Sequence, residues 1–354
     1  MHILVDITHP AHVHFYRHAI RLWQERGHRV LITARRKDIA VELLERCGFN
    51  YVDMGATRSG MHGLAVELVT RNTKLFRFVW RQRPDVLTAI GGISAAQVGW
   101  LARIPSVIFT DTENATLSNL LTFPFASVIC TPTCYEASVP AGKHVAYPGY
   151  QELAYTYPNR FCPDPEVLSL FGIKPDDHYI VMRLVSWGAA HDLRDRGFSH
   201  IVDAVRLLER YGQVLISAES ALPETLHTNR VTGPPEFVHH LLYYARLFIG
   251  ESATMASESA MLGTPAIFVS TSTRGYTNEQ EHKYDLVYTF SDPVRGQEQA
   301  LARAEAILSN PDSKVKWRVK RDRMLADKID VTQFIVDVVE RYGLEHQRRS
   351  RRSS

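Results

Sequence analysis

The sequence predicts an α/β chain built as two Rossmann-like, doubly wound domains with a cleft between them, and three observations carry that expectation. The 354 residues exceed what a single hydrophobic core comfortably organises. Short runs rich in Val, Ile and Leu alternate with longer amphipathic stretches, and strands that are apolar nearly throughout belong to parallel sheets covered by helices on both faces. The alternation stops once, in the Tyr/Pro-rich segment "YQELAYTYPNRFCPDP", and then restarts.

Taken in order, the first half offers the strands "HILVDI", "HRVLIT", "DVLTAI", "PSVIFT" and "ASVICT". Asp6 ends the first strand, Thr8 to Ala11 form a turn, and a helix follows carrying Phe15, Ala19, Leu22 and Trp23. These elements make a domain over residues 1–155. The second half repeats the rhythm with "HYIVMRL", "QVLIS", "RLFIG", "TPAIFVS" and "DLVYTF", a domain over 165–330. Helices are expected near 312–327 and 331–343, the latter packing across the domains, and residues 344–354 read as a disordered basic tail. In open sheets of this kind ligands bind beyond the carboxyl ends of the strands, so the candidate residues are sought there.

Composition excludes several classes. Lys plus Arg (41) nearly balances Asp plus Glu (38), so the net charge of +3 gives no electrostatic footprint for nucleic acid. The four cysteines include no CxxC pair, which fits reduced thiols in a cytoplasmic protein and argues against zinc. The opening "ILVDI" carries an acid inside its apolar run and resembles a buried strand rather than a signal peptide. The uncharged stretch 114–135 is broken by Asn119, Pro124 and Pro132, and is read as helix, turn and strand.

The first loop holds His9, His12, His14 and His18. It lacks the GxGxxG through which a dinucleotide pyrophosphate approaches the backbone, so a nicotinamide cofactor is not expected. His14 and His18 stand one helical turn apart, the spacing of paired metal ligands, but no HExxH or carboxylate-rich partner accompanies them. They and His9 are read as surface or packing residues, with no metal expected. His12, at the helix start, is a candidate base near neutral pH. Gly91 and Gly92 either let the backbone approach an acceptor or form a structural left-handed turn, with Ser94 capping the next helix. Asp111 and Glu113 follow another strand, as site acids or as caps of the next helix.

In "RLFIGESATMASESAMLGTPAIFVSTSTRGYTNEQEHKY", a strand ends at Gly250, Ser252 to Thr254 form a hydroxyl-rich turn, and a helix runs to Leu262. Its amino-terminal amides and dipole suit a diphosphate. With Thr254 as cap, a capping-box acid belongs at 257, which is Ser, so Glu258 is left as a cleft-facing acid one turn into the helix, suited to a ribose diol. Arg183 and Trp187-Gly188 are either diphosphate or base contacts or ordinary surface residues. The stretch "RNTKLFRFVWRQRP" interleaves basic and aromatic residues around a core stripe of Leu75, Phe76 and Val79, as a solvated basic face or a bilayer-surface contact.

On these segments a resemblance can be named. "PAHVHFYRHAIRLWQERGHRVLITAR" resembles the opening of GT-B-fold glycosyltransferases, where a His-bearing loop precedes a helix ending in "RGHxV", and "RPDVLTAIGGISAAQVGWLARIPSVIFTDTENATLSN" is similar to their following segments. The pattern is shared by the lipid-linked GlcNAc transferases of peptidoglycan synthesis, and the chain looks closest to uncharacterised members that share its opening. The resemblance implies a metal-independent, cofactor-free glycosyltransferase of polysaccharide biosynthesis at the cell envelope, moving sugar from a UDP-linked donor to a glycan or lipid-linked acceptor. By it the first domain is the acceptor side, with the loop of Gly91, Gly92 and Ser94. His12 is the base or a sugar-nucleotide-contacting imidazole, Ser252 and Thr254 contact phosphate, and Glu258 binds ribose. It also implies a cytoplasmic enzyme, peripheral at the inner face of the membrane. The non-hydrolysing UDP-GlcNAc 2-epimerases carry a related "DSGG-QEE-LG-P" and an Arg-bearing loop where this chain has Arg274. An epimerase would use Asp111 and Glu113 as acid and base. A non-catalytic nucleotide-sugar-binding subunit is the third possibility.

Overall fold

The computed structural model describes residues 1–37, 39–56, 60–174, 176–185, 198 and 200–353. The chain divides into two compact units, Met1–Arg160 with Ile329–Ser354, and Phe161–Lys328.

The first unit opens β1 (His2–Ile7), α1 (Pro10–Glu25), β2 (Arg29–Arg36), α2 (Ala40–Arg46) and β3 (Val52–Ala56). It continues α3 (Gly60–Gln82), β4 (Val86–Ile90), α4 (Ile93–Ala102), β5 (Ser106–Phe109), α5 (Thr116–Thr122), β6 (Val128–Pro132), β7 (His144–Tyr147) and α6 (Leu153–Thr156). The seven strands pair in parallel in the order β3-β2-β1-β4-β5-β6-β7. Strand order reverses between β1 and β4, the switch point where such sheets open a crevice. Leu4, Leu87, Ile108 and Ile129 of the strands pack against Leu75, Val79, Ala95 and Val98 of α3 and α4. Helix α1 forms because Pro10 presets its first turn, the His9 ring accepts the Ala11 N–H at 3.2 Å, and Val13, Tyr16, Ile20 and Trp23 recur on one buried face. Gly27, at φ 76°, ends it.

The second unit holds β8 (Tyr179–Leu184), α7 (Ile201–Leu208), β9 (Gln213–Ala218), α8 (Val238–Tyr244), β10 (Leu247–Gly250) and α9 (Ala253–Met261). It ends β11 (Ala266–Val269), α10 (Gly275–His282), β12 (Val287–Phe290), α11 (Gly296–Leu308) and α12 (Ser313–Ala326). Its five parallel strands run β12-β11-β10-β8-β9, with the reversal between β8 and β10. Gly250 is required there, since a Cβ on it would stand 2.4 Å from the Arg183 carbonyl oxygen.

The last helix, α13 (Val331–Ser353), returns to the first unit. Its buried Val331, Ile335, Val336 and Val339 carry it onto α1, β4 and β5. The segment expected as a disordered tail continues this helix to Ser353, tied down by Gln347, which donates to Asp85 at 2.9 Å. Strands β3 and β7 lie outside the expected set: both are sheet edges, largely exposed, and lack the unbroken apolar run of a buried strand.

Candidate functional site

Each unit carries its candidates toward the carboxyl ends of its own strands. In the first unit His12 stands in the first turn of α1, just beyond the end of β1, and the loop after β4 carries Gly91 and Gly92. Beneath them lies a buried polar layer. The Asp6 Oδ1 accepts from Thr33 Oγ1 at 2.8 Å and Arg71 Nη2 at 2.6 Å, and Tyr16 and Thr88 share a hydroxyl hydrogen bond of 2.8 Å.

The His12 ring keeps some solvent access yet sits deep among protein atoms. Burial, then the nearby His9, Lys37 and Arg71, pull its pKa well below 6.5, so the imidazole is neutral at pH 7. The Thr8 N–H and hydroxyl stand 3.4 and 3.3 Å from its Nδ1. With Nδ1 accepting, the ring proton sits on Nε2 and makes that nitrogen a hydrogen-bond donor.

The other three histidines of this segment have protein partners. His9 caps α1, while His14 is buried against Tyr155 and receives Arg17 Nη1 at 3.3 Å. His18 receives Arg17 Nε at 3.3 Å. A guanidinium bonded to both rings opposes a second cation there. Burial, then Arg17, Arg21 and Arg160, with Asp330 opposing, lower the His18 pKa from 6.5 to about 3. The unfolded chain therefore takes up a proton that the folded one refuses, so this contribution to stability is full above pH 6.5 and is lost as pH falls toward 3. His18→Gln should flatten the loss of urea resistance between about pH 7 and about pH 5. An unchanged slope would remove His18 from the acid response.

Gly91 adopts φ 52°, and a Cβ on Gly92 would fall 2.3 Å from that of Ala89, so both glycines are required by the tight turn itself. Ser94 does not cap α4. Gly92 is the cap, because this turn starts the helix at Ile93 and leaves Ser94 inside it, only 2% exposed. Asp111 and Glu113 follow β5; Thr112 Oγ1 donates to Asp111 at 3.0 Å, and neither acid caps α5, which begins after Ala115. Burial first, then the charge of Glu113, pushes the neighbouring Tyr135 phenol up, with Asp111 adding to it. Buried Tyr147 is raised by burial and then by Asp111, with Glu152 contributing.

In the second unit the crevice between β8 and β10 opens onto the amino terminus of α9. The cap is Ser252, not Thr254: its Oγ accepts the Met255 N–H at 3.3 Å. Arg183 donates to Ser217 at 2.8 Å and Glu219 at 2.5 Å. Arg274 precedes α10 and donates to Ser272 Oγ at 3.1 Å, gathering a hydroxyl-rich loop after β11. Glu258, expected as a cleft-facing first-turn acid, lies in the second turn of α9. Because α9 starts at Ala253 and is flanked by α8 and α10, its second turn has no free face. Glu258 is 5% exposed, its Oε1 3.1 Å from His239 Nε2. Trp187, Gly188, His191, Arg196 and Gly197 lie outside the described residues.

Three further residues matter here. Glu251, 7% exposed, accepts the Val185 N–H on one oxygen and the Phe198 N–H on the other, both at 2.7 Å, and so fixes the end of β8 to the start of α9. His239 holds Glu258. Gln280 of α10 donates to Ser257 of α9 at 2.7 Å, joining the two helices that bear the hydroxyl-rich loops.

Comparison with known proteins fits this geometry. The model of a family described as "Protein of unknown function (DUF354)" matches residues 1–278, a span that includes every candidate residue. The uncharacterized protein MJ0665 of Methanocaldococcus jannaschii is 23% identical over 274 residues, covering 75% of this chain and 80% of that protein. Among solved structures, the UDP-GlcNAc 2-epimerase from Neisseria meningitidis bound to UDP-GlcNAc aligns over 96% of this chain and 100% of its own, with TM-score 0.70 and 12% identity. The spinosyn rhamnosyltransferase SpnG complexed with spinosyn aglycone aligns over 96% and 100%, with TM-score 0.63 and 15% identity. The fold is that of GT-B glycosyltransferases and UDP-GlcNAc 2-epimerases.

Proposed function

The chain belongs to the DUF354 family, and from that premise we propose that it is a glycosyltransferase moving a sugar from a UDP-linked donor to a glycan or lipid-linked acceptor. The observation that carries this is the second unit's switch point, which opens onto the capped amino terminus of α9, with Ser252 and Thr254 at that terminus, Arg274 at the start of α10, and Glu258 buried one turn deeper in α9. Helix dipole, hydroxyls and guanidinium together suit a diphosphate, and a carboxylate held by His239 suits a ribose diol. In the transfer, the acceptor oxygen bonds to the anomeric carbon as the bond from that carbon to the diphosphate oxygen breaks. UDP departs with the electron pair and is stabilised by the α9 terminus and Arg274 without a metal. Asp111 or Glu113 takes the acceptor proton, and the neutral His12 donates a hydrogen bond through Nε2. Gly91 and Gly92 keep the acceptor-side loop close to the sheet.

Glu258→Gln tests the donor site, since it keeps the shape and an acceptor for His239 while removing the charge. Calorimetry should show UDP binding weakened roughly ten- to a hundredfold at an unchanged melting temperature. Unaltered affinity in the folded variant would misplace the donor site. The pairing of Asp111 with Glu113 near Tyr135 favours a second reading, epimerisation of the nucleotide sugar by paired acid and base. NMR of the protein with UDP-GlcNAc alone separates the possibilities. A 2-epimer formed without acceptor means epimerase, sugar transfer only on adding acceptor means transferase, and binding without turnover means a non-catalytic subunit.

A further inference from the structure

Exposed large hydrophobic side chains are not spread evenly over this molecule. Of the 15 among the described residues, 8 lie in α3, α4 and α5, one helical layer of the first unit. Val69, Trp80, Trp100, Leu101, Leu117 and Leu120 are each 59% to 68% exposed. The inward faces of the same helices are already satisfied, by Leu75 and Val79 in α3 and by Ala95, Ala96 and Val98 in α4. Helix α3 packs on α4, and α4 on α5, so the outward residues form one continuous layer. Helix α4 carries no charge and α5 none, an unusual composition for helices with a solvent face. Between α3 and α4 runs a groove of about 450 Å³ lined by Phe76, Trp100, Leu101 and Phe125.

Charge identifies what would cover this layer. The three helices contain a single acid, Glu67, whose side chain is 11% exposed and ion-paired with Arg35 at 2.6 Å. Lys74, Arg77, Arg81, Arg83 and Arg103 in and beside them are all exposed. Trp80 stacks on Phe76 and has the Arg83 guanidinium over its ring, 4.9 Å from the centroid. Apolar side chains, two indoles and a rim of one sign match an anionic lipid surface, where indoles settle at headgroup level and cations meet phosphate. A second copy of this chain would oppose the same cations across a two-fold axis, which disfavours self-association through this face. No helix among the described residues is long and apolar enough to cross a membrane, so the contact is with the surface.

We infer that the outward face of α3, α4 and α5 docks this chain on an anionic bilayer. This stands apart from the donor site, whose residues belong to the other unit. The test is co-sedimentation of the full chain with vesicles of phosphatidylcholine alone or mixed with phosphatidylglycerol. Pelleting is expected with the anionic vesicles, weaker on neutral ones and weaker in high salt. Trp80→Glu/Trp100→Glu should reduce binding at least roughly tenfold, and so should Leu117→Glu/Leu120→Glu if the first pair fails to fold. Val315→Glu/Val319→Glu, exposed on α12 of the other unit, should pellet as the wild type does. Absence of binding to anionic vesicles overturns the inference. So does equal binding to neutral ones, loss in the α12 control alone, or folded face variants that pellet unchanged. A dimer dissolved by the face substitutions, with no vesicle binding, would assign the face to a second copy instead.

Discussion

Asp6→Ala is expected to remove about 3–5 kcal/mol of folding stability, near the upper end for a single substitution. Asp6 is fully buried in the central strand β1, and its Oδ1 receives both the Thr33 hydroxyl and the Arg71 guanidinium. Truncation leaves Arg71, 8% exposed, as a charge with no counter-ion in a place it cannot leave cheaply. The pair itself need not be a strong stabiliser. Only one N–H···O bond of 2.6 Å joins the two, and neither Asp6 Oδ2 nor Arg71 Nε meets a hydrogen-bond partner among the described residues. Asp6→Leu/Arg71→Met should therefore recover most of what Asp6→Ala loses, because an imperfect buried ion pair scarcely offsets its own desolvation. Urea denaturation with an unchanged m-value measures both. A loss under about 1 kcal/mol in Asp6→Ala would mean that water reaches Arg71 and that the layer beneath His12 is not dry.

That layer also shows what a sequence conveys and what it hides. β1 and β10 were legible because central strands are apolar on both faces, and β3 and β7 were not because edge strands need not be. Arg71 reads as part of a basic helix surface when taken with Lys74 and Arg77. Yet it stands four and eight residues before Leu75 and Val79, inside the buried stripe, and that register joined to the acid within "ILVDI" was the available signal for a buried pair. Glu251 offered no such signal, since its partners Val185 and Phe198 lie 66 and 53 residues away and are backbone amides. The hydroxyl-rich segment is legible, but a cap at Thr254 starts the helix two residues late and faces Glu258 to the cleft, whereas the cap at Ser252 sets it beside His239. The basic composition of 344–353 concealed a helix whose buried apolar residues precede it, with Gln347 as its tie to Asp85.

His12→Ala is expected to lower turnover about a hundredfold to a thousandfold while leaving UDP affinity within a few-fold. The small binding effect follows from location, since His12 belongs to the first unit and the proposed UDP ligands to the second. The larger kinetic effect follows from its state. A pKa pulled well below 6.5 by burial, His9, Lys37 and Arg71 keeps the ring neutral, and the Thr8 N–H directed at Nδ1 leaves the proton on Nε2. Such a ring stabilises developing negative charge as a fixed hydrogen-bond donor and does not titrate near neutrality. The rate should accordingly show no ionisation near pH 6.5 that disappears in His12→Ala. His12→Gln separates donor from base, because the Gln amide can present an N–H where Nε2 does but cannot accept and release a proton. Steady-state kinetics on the UDP-sugar that most raises the melting temperature should place His12→Gln within roughly tenfold of wild type and well above His12→Ala. Equal loss in the two variants would restore His12 as the base, and a parallel loss of UDP affinity would make it a nucleotide ligand. Full activity in His12→Ala would end its part in the chemistry.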